Sequence, residues 1–170
     1  MKPLIFDATP LIYLTRVGLV KLIETLPMQK FAARSVFKEV VEIGKLRGLA
    51  DALALADLFE VKAISIANPT NTALLRTLTR INGLDEPDAE TLAVAKEHDY
   101  KAVLDDLLAR KVARTYEIDF VGTPYILILG IQNHLLTKQD AAKAIDEMIE
   151  AGWRCSPEIY REITRLIQES

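Results

Sequence analysis

The chain has 170 residues, of which 50% are hydrophobic and 26% are charged, and its net charge at pH 7 is −3. Length and composition predict one globular domain over residues 1–170, large enough to bury a sizeable core. The small negative charge excludes bulk attraction to nucleic acid, so any such binding must depend on a local basic patch. The single cysteine, Cys155, excludes an internal disulfide and suits a reducing, cytoplasmic compartment.

Apolar periodicity divides the chain into alternating strands and helices. The first strand, Pro3–Phe6, is a short apolar run that suits a buried central position in a sheet and ends on Asp7. Further strands are predicted at 30–33, 61–66, 102–104 and 118–121. Helices are predicted at 10–17, 19–26, 35–46, 49–58, 72–81, 87–98, 107–116, 124–134, 137–150 and 157–168. Polar residues are predicted to cap or start five of them: Ser35, Asp85 or Glu86, Asp105 or Asp106, Thr137 and Ser156. This order predicts an α/β fold, a three-layer α/β/α sandwich with a mainly parallel central sheet.

The last third of the chain, from about residue 122, is predicted to be helical throughout. Its longest apolar run, Tyr125–Ile131, is far too short to cross a bilayer, so no membrane association is expected. The first residues carry neither a long apolar segment nor a small-residue cleavage site, and a signal peptide is therefore not expected.

Carboxylates follow two of the predicted core strands. Asp7 ends the first strand, and Asp105 and Asp106 end the strand at 102–104. Parallel strands end at the same edge of a sheet, so these acids should meet there. The acid-rich helix start and the helix after the second strand can reach the same edge. The acids concerned are Asp7, Glu39, Asp88, Glu90, Asp105 and Asp106.

Several carboxylates held close together repel one another and raise each other's pKa values unless a cation lies among them. Oxygen ligands without a His or Cys cluster favour Mg²⁺ or Mn²⁺ over Zn²⁺. Such a site can activate water and stabilise charge on a phosphodiester under in-line attack. Taken singly, each acid also has an ordinary structural explanation, as a helix cap, a first-turn residue or a solvated side chain.

Five motifs in order resemble those of the PIN-domain nucleases, the fold of the VapC-type toxins, and specifically a compact prokaryotic subgroup with a late Asp-Asp pair. The first is DATPLI at Asp7–Ile12, and the second is SVFKEVVE, which contains Glu39. The third is EPDAETLAVA, in which Pro87 replaces the usual glycine, and the fourth is VLDDLLARKVA. The fifth is the helical tail, with GTPYILILGIQNHLLT and AGWRCSPEIYREI. The resemblance covers nearly the whole chain.

The resemblance implies an Mg²⁺- or Mn²⁺-dependent endoribonuclease that hydrolyses single-stranded RNA in the cytoplasm. It implies four principal acids, Asp7, Glu39, Asp88 and Asp106, with Glu90 and Asp105 as further metal ligands and Thr9 supporting Asp7 or an activated water. Whether Asp88 or Glu90 is the primary third acid is open. A toxin role with an antitoxin partner, and a homodimer, are analogies to the same family.

Three basic residues follow the acidic pair at helical spacing and are predicted to contact RNA phosphates: Arg110, Lys111 and Arg114. Arg110 is favoured because it lies one turn after Asp106, whereas Lys111 fits a solvated helix face equally well. Two other functions stay open at this point. One is a catalytically silent PIN-like module that binds nucleic acid or a partner, and the other is a Mg²⁺-dependent small-molecule phosphohydrolase.

Overall fold

The structure is a computed structural model that describes residues 1–170. Its five strands form one sheet in the order β3-β2-β1-β4-β5, and every neighbouring pair is parallel. The predicted sheet is therefore confirmed, and it is wholly rather than mainly parallel. The strands are β1 (Leu4–Phe6), β2 (Lys30–Ala33), β3 (Ser65–Ala67), β4 (Lys101–Val103) and β5 (Phe120–Val121).

Helices connect the strands and cover both faces of the sheet. No helix is long and apolar enough to cross a membrane. The helices are α1 (Ala8–Arg16), α2 (Val20–Thr25), α3 (Arg34–Phe37), a π-helical segment (Lys38–Ile43), α4 (Gly44–Leu46), α5 (Ala50–Glu60), α6 (Thr72–Leu78), α7 (Glu86–His98), α8 (Leu107–Thr115), α9 (Thr123–Gln132), α10 (Lys138–Glu150) and α11 (Pro157–Glu169).

The central strand β1 shows how the three layers form. Its residues are fully buried, and successive side chains of a strand point to opposite faces. Leu4 and Phe6 join a core of 30 buried residues with α1, α2, α5, α9, α10 and α11, while Ile5 joins a second core of 14 with α7 and α8. The α/β/α sandwich expected from the sequence is confirmed, with the larger core on the side of the C-terminal helices.

Four helix starts coincide with the polar residues that predicted them. Asp85, Asp106, Thr137 and Ser156 each accept a hydrogen bond from a backbone N–H in the first turn of the helix that follows. These caps satisfy donors that a helix N-terminus leaves free. They also fix the two loops that carry the acids of the fourth strand and of α7.

Three local predictions are wrong. Ser35 is not an N-cap, because the cap position belongs to Ala33 and the Ser35 hydroxyl bonds a distant carboxylate. The helix predicted at 35–46 contains the π-helical segment in its middle. The edge strand predicted at 61–66 covers only Ser65–Ala67, since residues 61–64 turn after α5 instead of pairing with β2.

Candidate active site

The ends of β1 and β4 lie side by side, as their sequences predicted. Phe6 is opposite Val103 in this parallel pair, and the backbone N–H of Asp7 donates to the Val103 carbonyl at 3.2 Å. Asp7 and the Asp105–Asp106 pair therefore leave the sheet at the same edge, which we call the acidic rim.

Asp7 is a buried carboxyl group with little to stabilise its charge. It occupies the N-cap position of α1 but makes no capping hydrogen bond, and only 5% of it is exposed. Burial raises its pKa to about 7, with further increases from the charges of Asp85, Glu39 and Asp105. No basic side chain forms an ion pair with it. Asp7 is therefore the centre of a set of mutually repelling acids.

Asp88 lies in the first turn of α7 and faces the same rim. It is buried, and its backbone N–H donates to Asp85 Oδ1 at 2.9 Å. Burial raises its pKa to about 8, and the charges of Asp7, Asp85 and Asp106 raise it further. This mutual influence shows that helix α7 brings Asp88 to the acids at the ends of β1 and β4.

Glu39 reaches the rim from the π-helical segment. Partial burial raises the pKa of this carboxyl, the charge of Asp85 adds to the increase, and Arg47 opposes it. A π-helical turn adds a residue to the helical repeat and thereby redirects side chains, and such turns are frequent at functional sites. The segment thus carries Glu39 close enough to Asp85 for the two charges to interact.

Asp106 stands at the mouth of the rim. Its Oδ1 accepts the backbone N–H of Ala109 at 2.8 Å and so caps α8, while its Oδ2 accepts no hydrogen bond from the protein. The residue is exposed. One oxygen is therefore committed to structure, and the other is free to bind a ligand.

The structure also reveals two charged groups at the rim that were not predicted as site residues. Asp85 was expected only as a cap of α7, a role that the structure confirms, yet its charge also raises the pKa of Asp7, Glu39 and Asp88. Arg47 follows α4 and lies close enough to Glu39 to lower its pKa. The LDEPD sequence could have indicated Asp85, whereas nothing in the sequence around Arg47 indicates that it lies near an acid.

Glu90 forms its hydrogen bonds with Ser35. Its Oε2 accepts the backbone N–H of Ser35 at 3.0 Å and the Ser35 hydroxyl at 2.5 Å. These bonds fasten α7 to the start of α3. This placement does not support the metal-ligand role expected for Glu90, and it favours Asp88 as the third acid.

Asp105, also expected as a metal ligand, is held by hydrogen bonds, and its charge contributes to the raised pKa of Asp7. Its Oδ1 accepts the Thr123 N–H at 2.9 Å and an Arg110 N–H at 3.3 Å. Its Oδ2 accepts the Thr123 hydroxyl at 2.5 Å and the Trp153 indole N–H at 2.9 Å. With both oxygens engaged by donors, Asp105 is an internal anchor.

The basic residues after the acidic pair are also partly occupied. Arg110, the favoured RNA contact, donates from Nε to the Leu104 carbonyl at 2.8 Å in addition to its bond with Asp105. Arg114 lies over the Phe120 ring at 5.3 Å, and Lys111 is exposed. Part of the Arg110 guanidinium is therefore engaged within the protein, and its role as a phosphate contact stays a prediction.

A family model for a PIN domain matches residues 3–169 of the chain. The chain belongs to the PIN-domain family. PIN domains are generally nucleases, and PIN-domain nucleases usually use divalent metals. A search of curated proteins finds no match to the chain.

The chemistry of this PIN domain's rim fits a hard divalent cation. Its donors are all carboxylate oxygens, and the buried Asp7 and Asp88 have no basic partner to neutralise them. As the side chains stand, no three acidic, His or Cys residues are grouped closely enough to hold a metal ion. Thr9, expected to support Asp7, is half-buried in the first turn of α1, two residues after Asp7.

We predict that the metal-free PIN domain loses stability as the pH rises from 5 to 8. An aspartate in the unfolded chain ionises near pH 3.8, whereas Asp7 and Asp88 in the folded protein keep their protons to about pH 7 and about pH 8. The folded state therefore binds more protons in this window, and raising the pH favours unfolding. Thermal melts in EDTA at pH 5, 6, 7 and 8 measure the trend, and a Tm that increases over this range would contradict it.

Proposed function

We propose that this PIN domain is a metal-dependent ribonuclease that hydrolyses phosphodiester bonds of single-stranded RNA. The observation that carries the proposal is the pair of buried aspartates, Asp7 and Asp88, which face the same rim without a basic partner. Burying two such groups opposes folding, since each loses hydration as an anion. A cation bound between the two would offset this cost, and perturbed acids in a cleft are typical of functional sites.

Four acids would hold the cation: Asp7, Glu39, Asp88 and Asp106. We propose Mg²⁺ or Mn²⁺, because the donors are hard oxygens and no His or Cys residue lies among them. A bound divalent cation would activate water and neutralise charge developing on the phosphate during in-line attack. Asp7 and Asp88 are the buried acids of this set. Glu39 and Asp106 are exposed to solvent, and Oδ2 of Asp106 accepts no hydrogen bond.

Removal of divalent cations should abolish RNA cleavage. We expect purified protein with Mn²⁺ to cleave a labelled single-stranded RNA, EDTA to stop the reaction, and Mn²⁺ or Mg²⁺ in excess of EDTA to restore it. Cleavage that continued at the same rate in EDTA would overturn the proposal. The same assay, run in parallel on a phosphate monoester, separates the alternatives. A silent PIN-like module would hydrolyse neither substrate, and a small-molecule phosphohydrolase would hydrolyse only the monoester.

Arg47 is our proposed phosphate contact. It lies near Glu39 at the rim, is exposed, and has no carboxylate within ion-pair distance. Arg110, in contrast, donates hydrogen bonds from its guanidinium to the Leu104 carbonyl and the Asp105 carboxylate. The resemblance to VapC-type toxins extends the proposal to a toxin with an antitoxin partner, a role that remains a prediction.

Replacing Arg47 with Ala should raise the KM for RNA about three- to tenfold with little change in kcat, because the contact is to substrate in both ground and transition states. Loss of one phosphate contact should also reduce the salt dependence of binding by about one unit of slope. Arg165→Ala, an exposed arginine on α11 that pairs with Glu169, is the matched control and should leave both unchanged. Equal KM values for R47A and R165A would remove Arg47 from the substrate site.

A further inference from the structure

The carboxylate of Asp105 is surrounded by donors that come from three separate parts of the chain. Thr123, the first residue of α9, supplies its backbone N–H and its hydroxyl. Trp153, which follows α10, supplies its indole N–H across 48 positions of sequence, and Arg110 of α8 supplies a guanidinium N–H. Only 8% of the Asp105 side chain is exposed. A buried carboxylate with this many donors is firmly fixed in place.

The residues that surround this carboxylate are mostly buried and closely packed. Thr123 is fully buried and Trp153 is 7% exposed. Gly122 lies against the Arg110 guanidinium so closely that a Cβ atom at this position would collide with it, and the same Cβ would lie 3.2 Å from Asp105 Oδ1. A side chain at this position would therefore force the Arg110 guanidinium to move, whereas the backbone angles do not call for glycine, since φ is −103°.

Anchoring Asp105 fixes the loop that presents Asp106. On one side of Asp105, the Leu104 N–H donates to the Val121 carbonyl at 2.8 Å, and the Leu104 carbonyl accepts Arg110 Nε. On the other side, Asp106 Oδ1 caps α8. With its neighbours held in this way, Asp106 has one free oxygen in one defined direction.

We propose that Asp105 is a positioning residue, which aims the free Oδ2 of Asp106 at the cation and connects the C-terminal helices to the acidic rim through Thr123 and Trp153. This inference rests on the proposed function and deepens it. The connection makes cation affinity depend on donors that never touch the cation. Partners that orient a ligand in this way typically contribute 10- to 100-fold in metal affinity.

The test compares variants that remove single donors while keeping the shape of the side chain. Thr123→Val removes the hydroxyl that bonds Asp105 Oδ2, Thr123→Ser retains it, and Trp153→Phe removes the indole N–H. Thr164→Val is the control, because the Thr164 hydroxyl bonds only the Tyr160 carbonyl within α11. Mn²⁺ affinity is measured by calorimetry on the full chain without RNA, alongside Tm and RNA cleavage.

We expect T123V and W153F to weaken Mn²⁺ binding about tenfold or more, and T123S and T164V to stay within about twofold of wild type. Cleavage by T123V should lose kcat with little change in KM. Wild-type Mn²⁺ affinity in both T123V and W153F, whatever their Tm, would show that Asp105 has only a structural role. If T123V does not fold, W153F alone decides the question by the same criterion.

Failure of the nuclease proposal would look different. Wild-type protein that bound Mn²⁺ without cleaving RNA would end that proposal, while weaker Mn²⁺ binding by T123V and W153F would still support the positioning role. Wild-type protein that bound no Mn²⁺ would overturn both.

Discussion

Asp7→Asn is expected to abolish Mn²⁺-dependent RNA cleavage and, at pH 8 without metal, to raise the Tm. In the folded protein the pKa of Asp7 rises from 3.8 to about 7, chiefly because the group is buried. Above that pH the folded protein must hold a charged group in a site that disfavours it, at a cost on the order of a few kcal/mol. Asparagine has nearly the same shape and carries no charge, so the substitution relieves this cost.

The gain should depend on pH in a defined way. At pH 8 we expect a Tm increase on the order of 5 °C, since each kcal/mol shifts Tm by about 2–4 °C in a chain of this size. At pH 5 Asp7 is already protonated in the folded state, so the two proteins should melt within about 2 °C of each other. Differential scanning calorimetry in EDTA at both pH values measures the difference.

Asp57→Asn provides the matched control for D7N. Asp57 is an exposed acid on α5 without an ion pair, and its replacement should change neither Tm nor cleavage. A D7N protein that still cleaved RNA at the wild-type rate would exclude Asp7 from the site. A Tm at pH 8 below that of wild type would show that the ionised Asp7 carboxylate is stabilised in the folded protein.

The parts of the fold that the sequence predicted well depend on local signals. The β1 and β2 segments are short apolar runs, and their predicted ranges agree closely with the structure. Helix starts followed from caps such as Thr137 and Ser156, because a side chain that satisfies its own first-turn N–H groups acts within a few residues. The parallel βα alternation also predicted that Asp7 and the Asp105–Asp106 pair leave the sheet at one edge, whereas the order of the strands was not predicted.

The parts that could not be predicted depend on contacts between distant residues. Serine is a residue type that often caps helices, but the Ser35 hydroxyl donates a hydrogen bond to Glu90, 55 positions away in sequence. Asp105 and Asp106 are adjacent residues of the same type, so the sequence alone does not distinguish them. The contact of Asp105 with Trp153, 48 residues later, identifies Asp105 as the anchor and leaves Asp106 as the candidate ligand. The π-helical segment that carries Glu39 interrupts a stretch that the apolar spacing predicted to be one helix. The sequence did not predict this interruption.

The neighbouring acids Asp105 and Asp106 should respond in opposite ways to the same substitution. Four donors converge on the two oxygens of Asp105, so Asn at this position would place an NH₂ group against other N–H or O–H donors. An unsatisfied buried donor costs about 1–3 kcal/mol, and loss of the charge also leaves Arg110 without its partner. We expect D105N to lower the Tm by about 5 °C or more.

Asp106→Asn should leave the Tm close to that of wild type, because its amide oxygen can still accept the Ala109 N–H and asparagine is as good an N-cap as aspartate. It should nevertheless abolish Mn²⁺-dependent cleavage, since an amide in place of Oδ2 removes an anionic ligand of the cation. Thermal melts and cleavage assays on the two variants side by side separate the anchor from the ligand. A stable D105N protein, or a D106N protein that unfolds early while retaining cleavage, would reverse the assignment of the two residues.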